Sequence, residues 1–199
     1  MIYTITSTLP LQHGGRTKAL LNRIKLIDQA LNINTTILTT NYNANYNDIY
    51  KSYLEDEKIT TNTYFENIYD WLADYKLLIE PTTDNPNQLT YHETPYELSG
   101  FTSEISKDNS IVRYYDNETY VLYRRYYDNT KVVKFEDYMS PISKKKVQRW
   151  QYNKNGILHK KVYYAPKSSQ KILEEFFDVY GAIYCMKFFE DNADNDLSF

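Results

Sequence analysis

The chain has 199 residues with a formal net charge of −3, and its 42% hydrophobic and 25% charged residues give the balance of an ordered globular protein rather than a disordered one. That length fits one domain or two small ones, each able to bury a core. A sequence pI near 5.7 carries no global basic footprint of a duplex-binding protein and argues against nucleic acid as a partner.

Residues Ile2 to Thr8 alternate β-branched, aromatic and small groups, which predicts a short opening strand. Gly14 and Gly15 interrupt it. From Thr17 to Leu31 the apolar positions Ala19, Leu20, Leu21, Ile24, Ile27 and Leu31 recur at helical spacing, with Arg23, Lys25 and Asp28 left for water. "NTTILTT", Asn34 to Thr40, is a β-branched run of buried-strand length. Strand, glycine turn, helix and strand form a βαβ unit with a right-handed crossover. "NYNDIYKSYLEDE" and "YFENIYDWLADYKLL" then read as helices, the second with a stripe of Tyr64, Ile68, Trp71, Leu72 and Tyr75. The expected result is the partial opening of a Rossmann-like sheet with two parallel strands, fewer than a doubly wound sheet holds.

Two prolines among polar residues in "EPTTDNPNQ", Glu80 to Gln88, mark a linker. The expected domains are 1–82 and 83–199. Beyond the linker the helical period gives way to tyrosine-rich segments from "IVRYYD" to "IYCMKFFED", separated by DNE, DNT, SPISK, NKNG, PKSSQ and GA. This is the rhythm of an antiparallel β-meander, with strands every 8 to 12 residues or so. In "VLYRRYY", Val121, Tyr123 and Arg125 point one way and Leu122, Arg124 and Tyr126 the other. Each face then mixes apolar and cationic groups, a surface suited to another protein or a sugar polymer. The fold class is α/β plus antiparallel β.

A glycine turn between a first strand and a first helix lets backbone approach an anion, and the helix adds free N–H groups and a positive dipole end. Gly14, Gly15, Arg16 and Thr17 occupy that place. The pattern is neither G-x-G-x-x-G nor a Walker loop, and spacing alone leaves both a tight structural turn and an anion site open. No two of His13, His92 and His159 stand at metal-ligand spacing; His92 and His159 read as surface groups, with His13 set apart because it precedes the glycines. Cys185 alternates within a strand as a small core residue, and as the single cysteine it suits a reducing, cytoplasmic compartment. The carboxylates of "YLEDEK" and "KFEDYM" read as solvated faces, so no catalytic residue is assigned. Lysine runs 144–146 and 160–161 read as edge protection, with an anionic polymer or membrane face as the alternative. "MIYTITSTLPLQ" has none of the features of a signal peptide, and no stretch approaches the ~20 apolar residues of a membrane span.

"HGGRTKALLNRIKLI", "NYNANYNDIYKSYL", "ENIYDWL" and "RYYDNETYVLYRRYYD" resemble, in sequence and order, the N-terminal portion of the poly(glycerol-phosphate) and wall teichoic acid α-glucosyltransferases. They are also similar to the glycosyltransferases that decorate surface adhesins of Gram-positive bacteria. The resemblance implies a two-lobed GT-B enzyme that retains configuration, needs no metal and uses UDP-glucose or UDP-N-acetylglucosamine. It implies a β-meander inserted into the N-terminal Rossmann lobe and serving homo-oligomer assembly or acceptor binding. The acceptor would be a teichoic acid, poly(glycerol- or ribitol-phosphate), or a glycoprotein, modified in the cytoplasm with peripheral association at the inner membrane face. By the same resemblance Gly14 and Gly15 match the glycine turn beside the donor phosphates, with Arg16 and Thr17 following. The family's diphosphate-gripping basic residues and glutamate pair lie in a second lobe, so these 199 residues alone are expected to be inactive. The alternative is a non-catalytic assembly module that partners an adhesin-modifying glycosyltransferase.

Overall fold

The computed structural model describes residues 1–12, 14–73 and 92–190, which fall into two compact units, Met1–Leu78 and Ile79–Phe199. The expected linker, the 82/83 border, Tyr75, His13 and the acidic tail 191–199 lie outside the described residues.

In the first unit, β1 (Ile2–Thr6), β2 (Thr35–Thr39) and β3 (Thr63–Asn67) form a parallel sheet in that order. Helix α1 (Gly15–Leu31) links the first pair of strands and α2 (Tyr46–Glu55) the second. β2 is central and buried at Thr35, Thr36, Ile37 and Thr39, as a β-branched run between two parallel neighbours should be. Leu21 and Ile24 of α1 pack with Ile37 and with Tyr46, Ile49, Tyr50 and Tyr53 of α2. The Tyr50 ring lies nearly flat on Phe65, 4.0 Å between centroids.

The third strand corrects the helix expected from Tyr64. Thr63, Tyr64 and Phe65 are β-formers and pair in register with Thr35, Thr36 and Ile37. The helix starts only after Asn67, whose side-chain oxygen accepts the Tyr69 amide at 2.8 Å and caps the short α3 (Ile68–Leu72). Asn67 also donates to the Thr39 hydroxyl at 2.7 Å, tying β3 to β2. The expected apolar stripe does not form a core: Tyr64, Ile68, Trp71 and Leu72 are all exposed.

The second unit contains an eight-stranded antiparallel meander, each strand hydrogen-bonded to the next in sequence. The strands are β4 (Thr102–Ile105), β5 (Ile111–Asp116), β6 (Thr119–Tyr126), β7 (Val133–Met139), β8 (Lys146–Tyr152), β9 (Leu158–Tyr164), β10 (Lys171–Phe177) and β11 (Ile183–Phe188). β4 was not expected, because TSEI is exposed at every position and carries no apolar alternation. The core of this unit is Val112, Tyr114, Leu122, Tyr126 and Val133. Asn109, Asn117 and Asn129 take the left-handed turn conformation that asparagine tolerates. Gly156 has φ of +79°, and a Cβ there would lie 2.5 Å from the His92 carbonyl oxygen, so this turn requires glycine.

The accessible Tyr/Arg face is corrected at β6. Leu122, Arg124 and Tyr126 all point into the core, and Arg124 pairs with Glu136 at 2.7 Å. Glu136 and Asp137 of "KFEDYM" are buried too, not a solvated face. Tyr138 and Tyr152 donate to Glu136 Oε2 at 3.1 and 2.7 Å, while Arg149 holds both Asp137 oxygens at 2.6 Å. His159 is likewise no surface group: desolvation within the sheet and the neighbouring Lys160 charge push its pKa down to about 3, so its imidazole stays neutral.

Candidate functional site

The carboxyl end of β1 and the start of α1 stand at the position where parallel α/β sheets receive ligands. The connection is anchored from behind. Leu9 is fully buried in the core, and the Tyr53 hydroxyl of α2 donates to the Pro10 carbonyl at 2.6 Å. The first helical bond runs from the Lys18 amide to the Gly14 carbonyl, 3.1 Å, so the amides of Gly15, Arg16 and Thr17 precede the ladder and face out from the helix end. Gly14 caps the helix without a side chain to occupy them, and no acidic residue sits in the first turn. Among the described residues of the first turn no side chain caps the helix or opposes its positive dipole end.

The two glycines here differ in kind from Gly156. Gly14 has φ of −90° and ψ of −167°, an extended conformation open to any residue. Neither Gly14 nor Gly15 has positive φ, and a Cβ at either would meet nothing within 4 Å. The fold of this unit therefore does not require glycine at either position. What their absence of side chains provides is clear space in front of three free amides.

A cavity of about 360 Å³ opens beside this turn, between the end of β1 and α1. Thr6, Ser7 and Thr8 contribute from the strand end, and Arg16, Thr17 and Arg23 from the helix; among the described residues no carboxylate lines it. Two guanidinium groups and several hydroxyls with no opposing acid make it complementary to an anion. Arg16 and Arg23 stand seven residues apart, almost two full turns, and so share a face. The structure thus brings Arg16 and Thr17 into one cavity, while Gly14 and Gly15, which precede them in the chain, are not among its lining residues. Arg23 faces solvent as expected, but its place in the cavity and that of the strand-end hydroxyls escaped sequence analysis. The seven-residue spacing from Arg16 was the available signal.

Among the described residues no group of His, Cys, Asp or Glu is arranged to hold a metal ion, and no helix is long and apolar enough to cross a membrane. No family model matches the chain. Over 196 residues it is 26% identical to a poly(ribitol-phosphate) α-N-acetylglucosaminyltransferase of Staphylococcus aureus, covering 98% of this chain and 37% of that protein. It is 24% identical to a poly(glycerol-phosphate) α-glucosyltransferase of Bacillus subtilis, covering 98% of this chain and 28% of that one. A crystal structure of a point variant of S. aureus TarM, in complex with fondaparinux, α-GlcNAc-glycerol and UDP, aligns with a TM-score of 0.67 at 19% identity, over 94% of this chain and 36% of that chain. This chain spans between 28% and 37% of the length of the two curated relatives it matches.

Proposed function

We propose, for a chain that is homologous along nearly all its length to part of the teichoic acid glycosyltransferases and has the fold of their GT-B structures, that it is the N-terminal portion of such an enzyme. Residues 1–82 form the opening of its N-terminal Rossmann-like lobe, and 83–199 form the inserted β-meander. The enzyme transfers glucose or N-acetylglucosamine from its UDP derivative to a hydroxyl of a polyol-phosphate polymer. The meander serves self-association, and the site of action is the cytoplasm.

The observation that carries the proposal is the pair of glycines that the local fold does not require, set at the start of a helix whose next residues, Arg16 and Thr17, line a cavity with no carboxylate among its described lining residues. As the bond from sugar to UDP breaks, negative charge gathers on the departing diphosphate. Amides of Gly15, Arg16 and Thr17 lie where they can stabilise it, and fixed donors of this kind are each worth about 3 kcal/mol of transition-state stabilisation in enzymes that use them. Arg16 and Arg23 add charge along the same helix face. No metal is needed for this part of the work. The groups that position the sugar belong to a second lobe, so the 199 residues alone would bind donor phosphate without turnover.

The test is sugar transfer by the full-length protein from UDP-glucose and UDP-N-acetylglucosamine to poly(glycerol phosphate). Gly15→Leu places a side chain in open space, so the folded state should survive with its melting temperature unchanged while kcat/KM for the donor falls at least about tenfold, 1.4 kcal/mol. A fully active Gly15→Leu enzyme would remove the glycine turn from the mechanism.

A further inference from the structure

The turns at one end of the meander hold a feature that donor binding does not use. The β7–β8 turn reads Ser-Pro-Ile-Ser-Lys-Lys-Lys over 140–146, and the β9–β10 turn reads Ala-Pro-Lys-Ser-Ser-Gln-Lys over 165–171. The two turns adjoin, because Lys145 Nζ donates to the Lys167 carbonyl. Together they hold five lysines and no carboxylate, in a protein whose net charge is −3. At the tip of the first turn Ile142 is 93% exposed, more than any other large apolar side chain among the described residues.

Both turns are braced. Ser140 and Lys145 close the first through a 2.9 Å backbone bond, with the Lys144 amide bound to the Ser140 carbonyl at 2.9 Å. Ala165 and Gln170 close the second in the same way, at 2.9 Å. Ile142 is thus held outward by a fixed turn, and exposed single apolar residues are ordinary on protein surfaces. The unusual part is its setting among cations. A soluble polyanion would use the lysines and leave Ile142 in water, whereas an anionic bilayer takes both, the ammonium groups at the headgroups and the isoleucine among the upper acyl carbons.

We propose that this end of the meander docks on an anionic phospholipid surface, with Ile142 inserted and Lys144, Lys145 and Lys167 at the headgroups. Lys146 and Lys171 contribute less, since Lys146 lies over the Tyr164 ring at 4.2 Å and near Asp137 at 4.0 Å, and Lys171 pairs with Glu174 at 2.9 Å. The inference stands independently of glycosyl transfer, because its assay contains no sugar.

The experiment is co-sedimentation of the 199-residue chain with vesicles of phosphatidylcholine alone and of phosphatidylcholine mixed with phosphatidylglycerol. Binding is expected only to the mixed vesicles and should weaken as salt rises. Lys167→Gln and Lys144→Asn should each reduce it about fivefold, near 1 kcal/mol per headgroup-facing lysine; asparagine is chosen because residue 144 has φ of +55°. Ile142→Asp should reduce it at least about tenfold, the loss of a buried aliphatic side chain. All three positions are exposed, so circular dichroism should show folded variants. The proposal is overturned if the chain ignores the mixed vesicles. It is equally overturned if binding survives Ile142→Asp and is displaced by soluble polyphosphate, which would assign the lysines to a polyanion.

Discussion

Removing either partner of the Arg124–Glu136 pair leaves a charge buried with nothing opposite it. The guanidinium donates to Glu136 at 2.8 Å, to the Tyr114 hydroxyl at 3.0 Å and to the Pro95 carbonyl at 3.1 Å, and burial of the Tyr138 and Tyr152 hydroxyls beside Glu136 holds both phenols protonated far above neutral pH. Glu136→Gln keeps the shape and removes the charge. It should destabilise the meander by about 3–5 kcal/mol, seen as a lower urea midpoint at unchanged slope; a loss under about 1 kcal/mol would mean that water reaches the pair. The charge pattern of β6 and β7 was legible as residues but not as a pair. Only the register, which sets Arg124 opposite Glu136 and Asp137 opposite Arg149, turns a seemingly solvated face into a buried network. The glycines show the converse: the sequence located Gly14 and Gly15 at the strand-to-helix step, yet spacing could not distinguish a glycine demanded by backbone from one that leaves room.

At the level of elements, periodicity read strongly wherever one period held for a whole element. β1, α1, β2, α2 and the seven strands from β5 onward fall where their patterns predict. The failures occur where the period changes inside a short stretch: β3 runs into α3 without a connecting residue, and the aromatic and aliphatic residues Tyr64, Ile68, Trp71 and Leu72 mimic a helical stripe across the junction. Asp70, in the first turn of α3, reports on this junction. Burial lifts its pKa to about 6 from an ordinary value near 3.9. The folded state therefore binds a proton more readily than the unfolded chain between about pH 4 and 6. By linkage, Asp70 opposes folding at pH 7, and its penalty fades as pH falls through 6 toward 4. Asp70→Asn should raise stability at pH 7 and flatten this part of the pH profile, measured by urea unfolding from pH 4 to 8. A variant less stable than the parent at pH 7 would show that the carboxylate has a favourable partner.

At the scale of the whole molecule, the meander is an open sheet with two outer strands, and these differ in what they offer a second copy. β4 has four residues, all exposed, with Glu104 among them, a short and charged edge of the kind that resists pairing. β11 has six residues and presents Ile183, Met186 and Phe188, at 47%, 52% and 76% exposure, with Lys187 as its one charge. Among the described residues no strand pairs with its outer side. An outer strand bordered by apolar side chains favours strand-to-strand addition, and Ile183, Met186 and Phe188 give β11 that border, so β11 is the edge through which the meander should self-associate. Sedimentation velocity of the 199-residue chain at rising micromolar concentration should show a reversible increase in sedimentation coefficient. Met186→Lys adds an edge charge without removing a core contact, and should return the chain to monomer with its unfolding curve unchanged. A parent chain that stays monomeric would remove β11 as an assembly surface, and an associating Met186→Lys chain would move the contact elsewhere on the meander. Association through β11 would also multiply the lysine-rich turns on one particle, and an anionic surface held by several weak anchors at once is bound far more tightly than by one.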